Sequence, residues 1–309
     1  MIFWRIINNK VYHVKNMEKL GFEESEGLRI PDEYLEKQEF IIMRTCFGLG
    51  DWGIISSLPK LLKQKYPNCK IYLPSEKFLS VLFKDIKENW STWDNPFKTV
   101  TDIFKNNPYI DGFIDSFEGE IFHDHYRVYD KNTPHIPLIK QMLKFWQFTE
   151  DELEGIDYIP ELYFTEEEIE LGDKIIKEHV GDQDFGGLLI TNRFEQEVVD
   201  AANTVKEKLE ITKYFLDKYK DLPFFYWVYK PQEELSFSFN GSLDLRNINT
   251  RIQLYIRSKA KLNLGTHCGF LDCVTRYSKV YQIQRVHPLN QNYIETNIYL
   301  NKGNYKESI

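Results

Sequence analysis

Two stretches of this chain share one pattern: a short apolar run, a turn of small residues, then a helix-prone segment. The first is Phe40-Ile41-Ile42-Met43-Arg44, then Phe47-Gly48-Leu49-Gly50-Asp51-Trp52-Gly53, with Ile54, Ile55, Leu58, Leu61 and Leu62 beyond it at helical spacing. The second is Leu262-Asn263-Leu264, then Gly265-Thr266-His267-Cys268-Gly269-Phe270. A short apolar strand without polar alternation is buried on both faces, and a parallel sheet covered by helices is the arrangement that buries it. The pattern selects an α/β chain.

The same alternation extends through both halves. Lys70 to Leu73 and Tyr109 to Ile114 read as strands, and Glu76 to Ile86 and Pro137 to Phe148 as helices. Pro160 and the acidic run Glu166 to Glu168 mark a crossover. After it, Gly187–Thr191, Phe224–Tyr229, Lys261–Leu264 and Val280–Gln284 read as strands, with helices over Val205–Tyr219, Arg251–Ser258 and Phe270–Tyr277. The expectation is two doubly wound, Rossmann-like domains facing a cleft, over 39–163 and 164–285. Residues 1–38 read as an N-terminal appendage with a hairpin signal around Asn8-Asn9-Lys10, and 286–309 as a tail packing back on the first domain. Phe224-Phe225-Tyr226-Trp227 reads as a strand filling core on both faces.

Charge and length of apolar runs remove whole classes. Asp and Glu number 47 against 39 Lys and Arg, a net charge of −8, so a nucleic-acid partner is not expected. Phe224–Tyr229, the longest strongly apolar stretch, falls far short of the roughly 20 residues that span a bilayer. Peripheral membrane contact stays open. The start reaches Arg5 and Asn8 too soon for a signal peptide, and the scattered cysteines Cys46, Cys69, Cys268 and Cys273 read as reduced thiols of a cytoplasmic protein.

The first turn carries Gly48, Gly50 and Gly53 in a G-x-G-x-x-G order between strand and helix, as a dinucleotide fingerprint does. Asp51 stands inside it, where its charge opposes a pyrophosphate. Asp51 reads three ways: as a helix cap, as a general base kept ionised by the helix dipole, or as part of a dinucleotide turn. In the second turn, small residues free backbone N–H groups for a phosphate. His267, Cys268, Asp272 and Cys273 have helical spacing rather than the paired spacing of structural zinc, so no metal is expected. His123, Asp124, His125 and Arg127 read as a polar loop that could meet an acidic acceptor.

Taken in order, these segments resemble the bacterial lipopolysaccharide heptosyltransferases, ADP-heptose-using glycosyltransferases of the GT-B fold. The resemblance runs from Ile41-Ile42-Met43-Arg44 and Gly48-Leu49-Gly50-Asp51 through Leu58-Pro59, Tyr66-Pro67 and Asn107-Pro108-Tyr109-Ile110-Asp111. It continues through His135, Pro160, Phe164-Thr165-Glu166-Glu167, Asp244-Leu245, Leu254–Ala260 and Leu264–Gly269. It implies an inverting, metal-independent transfer of a sugar from a nucleotide-sugar donor, ADP- or GDP-linked, to a hydroxyl of a glycan or glycolipid acceptor, with no further cofactor. By position, Asp51 would be the base, with Arg44, Gly48 and Gly50 on the acceptor-side loop. Thr266, His267, Cys268 and Gly269 would hold the diphosphate, Arg193 or Lys206 would offset its charge, and Glu233 would take the ribose. The family usually has Asp at position 267 and His at 272, so the two residue types stand exchanged here; a protonated His267 would meet the diphosphate directly. Two other readings stay open: an oxidoreductase using the Gly48-Gly50-Gly53 turn, and a non-catalytic binding module on the same fold.

Overall fold

Strand pairing in the first half of the chain joins segments far apart in sequence. The computed structural model describes residues 2–7, 10–14, 30, 32–44, 47–83, 95–124, 138–190, 205–228, 241–266, 268–283 and 298–300. The chain divides into two units, Met1–Tyr163 and Phe164–Ile309.

In the first unit, β1 (Ile2–Ile7) and β2 (Lys10–Val14) pair antiparallel with Ile7 opposite Lys10, which is the hairpin expected from the sequence. Helix α1 (Asp32–Glu36) follows, then β3 (Glu39–Ile41) and β4 (Met43–Arg44). Next come α2 (Leu49–Gly53), α3 (Leu58–Lys65), β5 (Lys70–Pro74), α4 (Glu76–Leu82) and α5 (Lys98–Phe104). The unit continues with β6 (Gly112–Ile114), β7 (Gly119–Asp124), α6 (Leu138–Phe145) and α7 (Glu150–Leu153).

Two sheets result, a mixed one ordered β2-β1-β7-β4 and a parallel one ordered β3-β5-β6. The hairpin is therefore built into a sheet rather than appended, because the free edge of β1 pairs antiparallel with β7. The run Phe40–Arg44, expected as one strand, divides at Ile42. That residue's N–H donates to the Tyr72 carbonyl at 3.0 Å, β3 goes with β5, and β4 goes with β7. Phe40 lies fully buried among Tyr34, Tyr66 and Trp146, with ring centroids 6.1, 5.4 and 5.2 Å away. The Ile41 N–H donates to the Tyr34 hydroxyl at 3.0 Å, and burial pushes that hydroxyl up to about 12. The end of the unit is tied to the start of α3: Ser57 Oγ donates to the Tyr158 carbonyl at 2.8 Å, and Lys60 pairs with Glu161 at 2.7 Å.

The second unit is one parallel sheet. Its elements are α8 (Glu166–Val180), β8 (Gly186–Ile190), α9 (Val205–Lys218), β9 (Phe224–Val228), β10 (Gly241–Asp244) and a 3₁₀ turn at Leu245–Asn247. Then come α10 (Thr250–Lys259), β11 (Leu262–Thr266), α11 (Gly269–Cys273), β12 (Lys279–Ile283) and β13 (Ile298–Leu300). The strand order is β10-β9-β8-β11-β12-β13, with every pairing parallel. Residues 298–300, expected in a tail returning to the first domain, form the edge strand beside β12.

Both faces of this sheet are covered, as its apolar strands require. Phe224, Leu188, Ile190 and Leu264 pack with Phe215 and Leu216 of α9. Phe225, the next residue along β9, packs on the opposite face with Val180 of α8 and with Ile252 and Ile256 of α10. The adjacent aromatics thus fill two cores, as read from the sequence. Each fully buried side chain of this size stabilises the fold by about 1.5–3 kcal/mol.

A buried ion pair locks α8 to α10. The Glu168 carboxylate accepts from Arg251 Nε at 2.6 Å and Nη2 at 2.7 Å, and also from the Thr165 N–H at 2.9 Å. Phe164 lies against the guanidinium, 5.3 Å from ring centre to Cζ. One turn on, the Tyr255 hydroxyl donates to Asp173 at 2.7 Å, and a Cβ on Gly172 would overlap the Tyr255 ring. The two helices approach that closely because residue 172 has no side chain.

Removing one member of a buried ion pair leaves the other charge uncompensated, at a cost of about 3–5 kcal/mol. Arg251→Ala is expected to destabilise the second unit by about 3 kcal/mol in urea unfolding followed by circular dichroism. A change below 0.5 kcal/mol would show that the pair is not a lock.

Candidate functional site

In an open parallel sheet, a ligand binds outside the carboxyl ends of the strands at the place where the strand order reverses. In the second unit that place is between β8 and β11, neighbours in the sheet from which the chain winds outward in opposite directions. Leu188 pairs with Leu264 and Leu189 with Gly265, so the two strands end side by side at Ile190 and Thr266. A Cβ on Gly265 would overlap the Leu189 carbonyl oxygen. Glycine is required there by backbone proximity.

The residues expected to hold a donor follow these strand ends in the chain. Thr266 closes β11 and is buried. Cys268 and Gly269 come next, and Gly269 opens α11. Arg193, a few residues beyond β8, His267 and Glu233 lie outside the described residues. Lys206 is in the first turn of α9, and its side chain also lies outside them. Helix α11 is shorter than the expected Phe270–Tyr277, and a helix of five residues has only a small dipole to offer an anion. The strand order, rather than that helix, distinguishes this edge.

Cys268 is half-buried, and burial pushes its thiol up to about 11. A thiol raised by burial is a poor source of thiolate, which does not favour Cys268 as a nucleophile. Cys273 and Asp272 are buried within α11, which matches the expectation that Cys273 faces the core. Among the described residues, no three His, Cys, Asp or Glu side chains converge as a metal site.

The glycine turn of the first unit is more helical than expected, since α2 already begins at Leu49. Gly48 precedes it with extended backbone, and its N–H donates to Asp51 Oδ2 at 3.0 Å. Asp51 therefore caps the helix through its carboxylate. A Cβ on Gly48 would lie 2.6 Å from that oxygen, so a side chain at 48 would displace the Asp51 carboxylate from this contact. Gly50 and Gly53 lie inside α2, and the Gly48 N–H that would face a pyrophosphate is held by the protein's own carboxylate. This geometry does not favour the dinucleotide reading.

Arg44, expected on an acceptor-side loop, is a strand residue of β4 and is 1% exposed. Pairing of β4 with β7 places it in a sheet rather than on a loop. His123 and Asp124 pair along β7 with Met43 and Arg44, with side chains outside the described residues, as are His125 and Arg127. Reasoning from sequence missed Arg257 and Asn263, which the structure buries beneath the β8–β11 edge. An asparagine inside an otherwise apolar strand was the available signal.

No protein-family model matches this chain, and no curated protein matches it. Among solved structures, the chain is similar to a glycosyl transferase family 9 protein from Veillonella parvula, with 10% identity and a TM-score of 0.44 over 79% of this chain and 80% of that one. It is also similar to the E. coli heptosyltransferase WaaC in complex with ADP-2-deoxy-2-fluoro heptose, with 9% identity and a TM-score of 0.41 over 87% of this chain and 95% of that one. A third is S. aureus MnaA with UDP, at 13% identity and a TM-score of 0.32, over 85% of this chain and 70% of that one. No helix of the described residues is long and apolar enough to cross a membrane.

Two outcomes are expected. Gly265→Ala forces a carbon onto the Leu189 carbonyl and should destabilise the second unit by about 3 kcal/mol, at the upper end for overpacking; a urea curve superimposable on the original would contradict this. The Cys268 thiol should resist iodoacetamide at pH 8 in the folded protein and react only as the pH approaches 11, which peptide mass spectrometry reads directly. Because the folded thiol titrates above its unfolded value, any stability that it contributes is fully present below about pH 9 and is lost as pH rises through 11.

Proposed function

We propose that the protein is a nucleotide-sugar-dependent glycosyltransferase, inverting and metal-independent, that moves a sugar from a nucleoside-diphosphate donor to a hydroxyl of a glycan or glycolipid on the cytoplasmic side. The observation that carries this reading is the strand order of the second unit. Its β8–β11 switch point coincides with the segment Thr266–Gly269, which the sequence resemblance assigns to the diphosphate.

In the proposed reaction the acceptor oxygen attacks the anomeric carbon as the bond from that carbon to the diphosphate oxygen breaks. The acceptor proton passes to a carboxylate, and the leaving diphosphate keeps the electron pair. Asp51 is the base in this reading. Its carboxylate accepts from the Gly48 N–H, which fixes its direction. Arg193, Lys206 and His267 are the candidates for offsetting the charge that develops on the diphosphate, and Glu233 for binding the ribose.

Thermal unfolding in the presence of ADP, GDP, UDP, CMP or NAD tests the donor half. A ligand at 100 times its dissociation constant stabilises the folded state by about 2.7 kcal/mol, so one nucleoside diphosphate should raise the midpoint by several degrees. A rise with NAD alone would move the assignment to an oxidoreductase, and no rise with any of them would leave a binding module as the better reading. For the catalytic half, Asp51→Asn should lower turnover of the identified nucleotide sugar by about 10²–10⁴-fold while leaving the midpoint shift intact. Equal turnover in the variant would remove Asp51 as the base.

A further inference from the structure

Among the described residues, Arg257 is a buried charge that no carboxylate balances. It lies in the last turn of α10 and is 0% exposed. Its Nη2 donates to the Leu188 carbonyl at 3.3 Å and its Nη1 to Asn263 Oδ1 at 3.4 Å. Charge-assisted bonds are usually about 2.7–2.9 Å, so both contacts are long. Nε has no hydrogen-bond partner, and no carboxylate pairs with the guanidinium among the described residues. Burial lowers its pKa to about 10, which still leaves it protonated at neutral pH. Two neutral oxygens at this range do not offset the removal of a guanidinium from water.

Its position gives this imbalance a direction. Leu188 belongs to β8 and Asn263 to β11, so the guanidinium bridges the two strands between which the strand order reverses. Phe270, in the segment that follows β11, has its ring centre 5.8 Å from Cζ. The cradle is built for this side chain. A Cβ on Gly187 would lie 3.0 Å from Nη1 and would overlap Asn263 Oδ1. Asn263 is itself fixed by donating to the Arg257 carbonyl at 2.9 Å and to Ser278 Oγ at 2.8 Å.

We infer that Arg257 is a positioning residue for an anion: an internal positive charge beneath the switch point, matched by no carboxylate among the described residues, whose counter-charge is the diphosphate of a nucleotide bound beyond the ends of β8 and β11. The inference rests on the reading of that edge as the donor site. Arg257 acts through its field and by holding β8 to β11, without touching the ligand. In a water-poor interior such a field is screened far less than that of a surface lysine.

Calorimetric titration of the full chain with ADP, GDP and UDP, and with adenosine, guanosine and uridine, tests this. The wild type should prefer one diphosphate over its own nucleoside. Arg257→Met should cut that preference about tenfold, equivalent to 1.4 kcal/mol, with nucleoside affinity unchanged, and Arg257→Lys should keep most of it. Asn263→Asp places a carboxylate against the guanidinium and should make the same cut without removing the arginine, so the test stands even where Arg257→Met fails to fold. A preference unchanged in a folded Arg257→Met or Asn263→Asp variant would reduce Arg257 to a structural role and leave the donor site standing. A wild type that binds none of the three diphosphates would overturn the donor site and this inference together.

Discussion

The second unit depends on the parallel pairing of β8 with β11. Parallel neighbours cannot be joined by a tight turn, so the chain between them must cross over and cover the sheet with helices. That requirement explains why the strands are apolar on both sides and why Phe224 and Phe225 serve opposite cores. It also explains the small residues at the junction: Gly187 leaves room for Asn263 and Arg257, and Gly265 lets β11 approach the Leu189 carbonyl. The Glu168–Arg251 pair then fixes α8 against α10 over one face. Once the junction is made, the ends of the two strands lie side by side at Ile190 and Thr266.

The two glycine-bearing turns differ in their chemistry even though they look alike in sequence. In the first unit the turn is closed by its own carboxylate, because Asp51 occupies the Gly48 N–H. In the second unit an interior guanidinium underlies the sheet edge without a carboxylate to balance it among the described residues. A turn that carries a fixed negative group suits proton acceptance, and an edge with unbalanced positive charge beneath it suits an anion. That contrast supports the proposal of Asp51 as the base and of the β8–β11 edge as the diphosphate site.

Much of this was legible in the sequence because hydrophobic period and turn chemistry are local. The strands at 186–190, 224–228, 262–266 and 279–283 fall within two residues of where apolar runs place them. What was not legible depends on partners distant in the chain. The pairing of β1 with β7 joins residues more than a hundred positions apart, so a hairpin that reads as an appendage becomes part of a sheet. The run Phe40–Arg44 shows no sign that its ends enter different sheets, because the strands that claim them, β5 and β7, are distant in the chain. Arg44 reads as an acceptor-side loop residue and Arg257 carries no expectation, and only packing shows both to be buried. Thr266 to Gly269 was legible as a small-residue turn, but its place at a reversal of strand order required the whole sheet.

The central claim is that a nucleoside diphosphate binds at the edge formed by β8 and β11. Hydrogen–deuterium exchange read peptide by peptide, with and without the nucleotide that stabilises the protein most, tests it directly. The account predicts slowed exchange in peptides covering 262–273 and the residues following Ile190, with peptides over 47–58 unchanged. Protection confined to 47–58 would contradict it and return the glycine turn of the first unit as the nucleotide site.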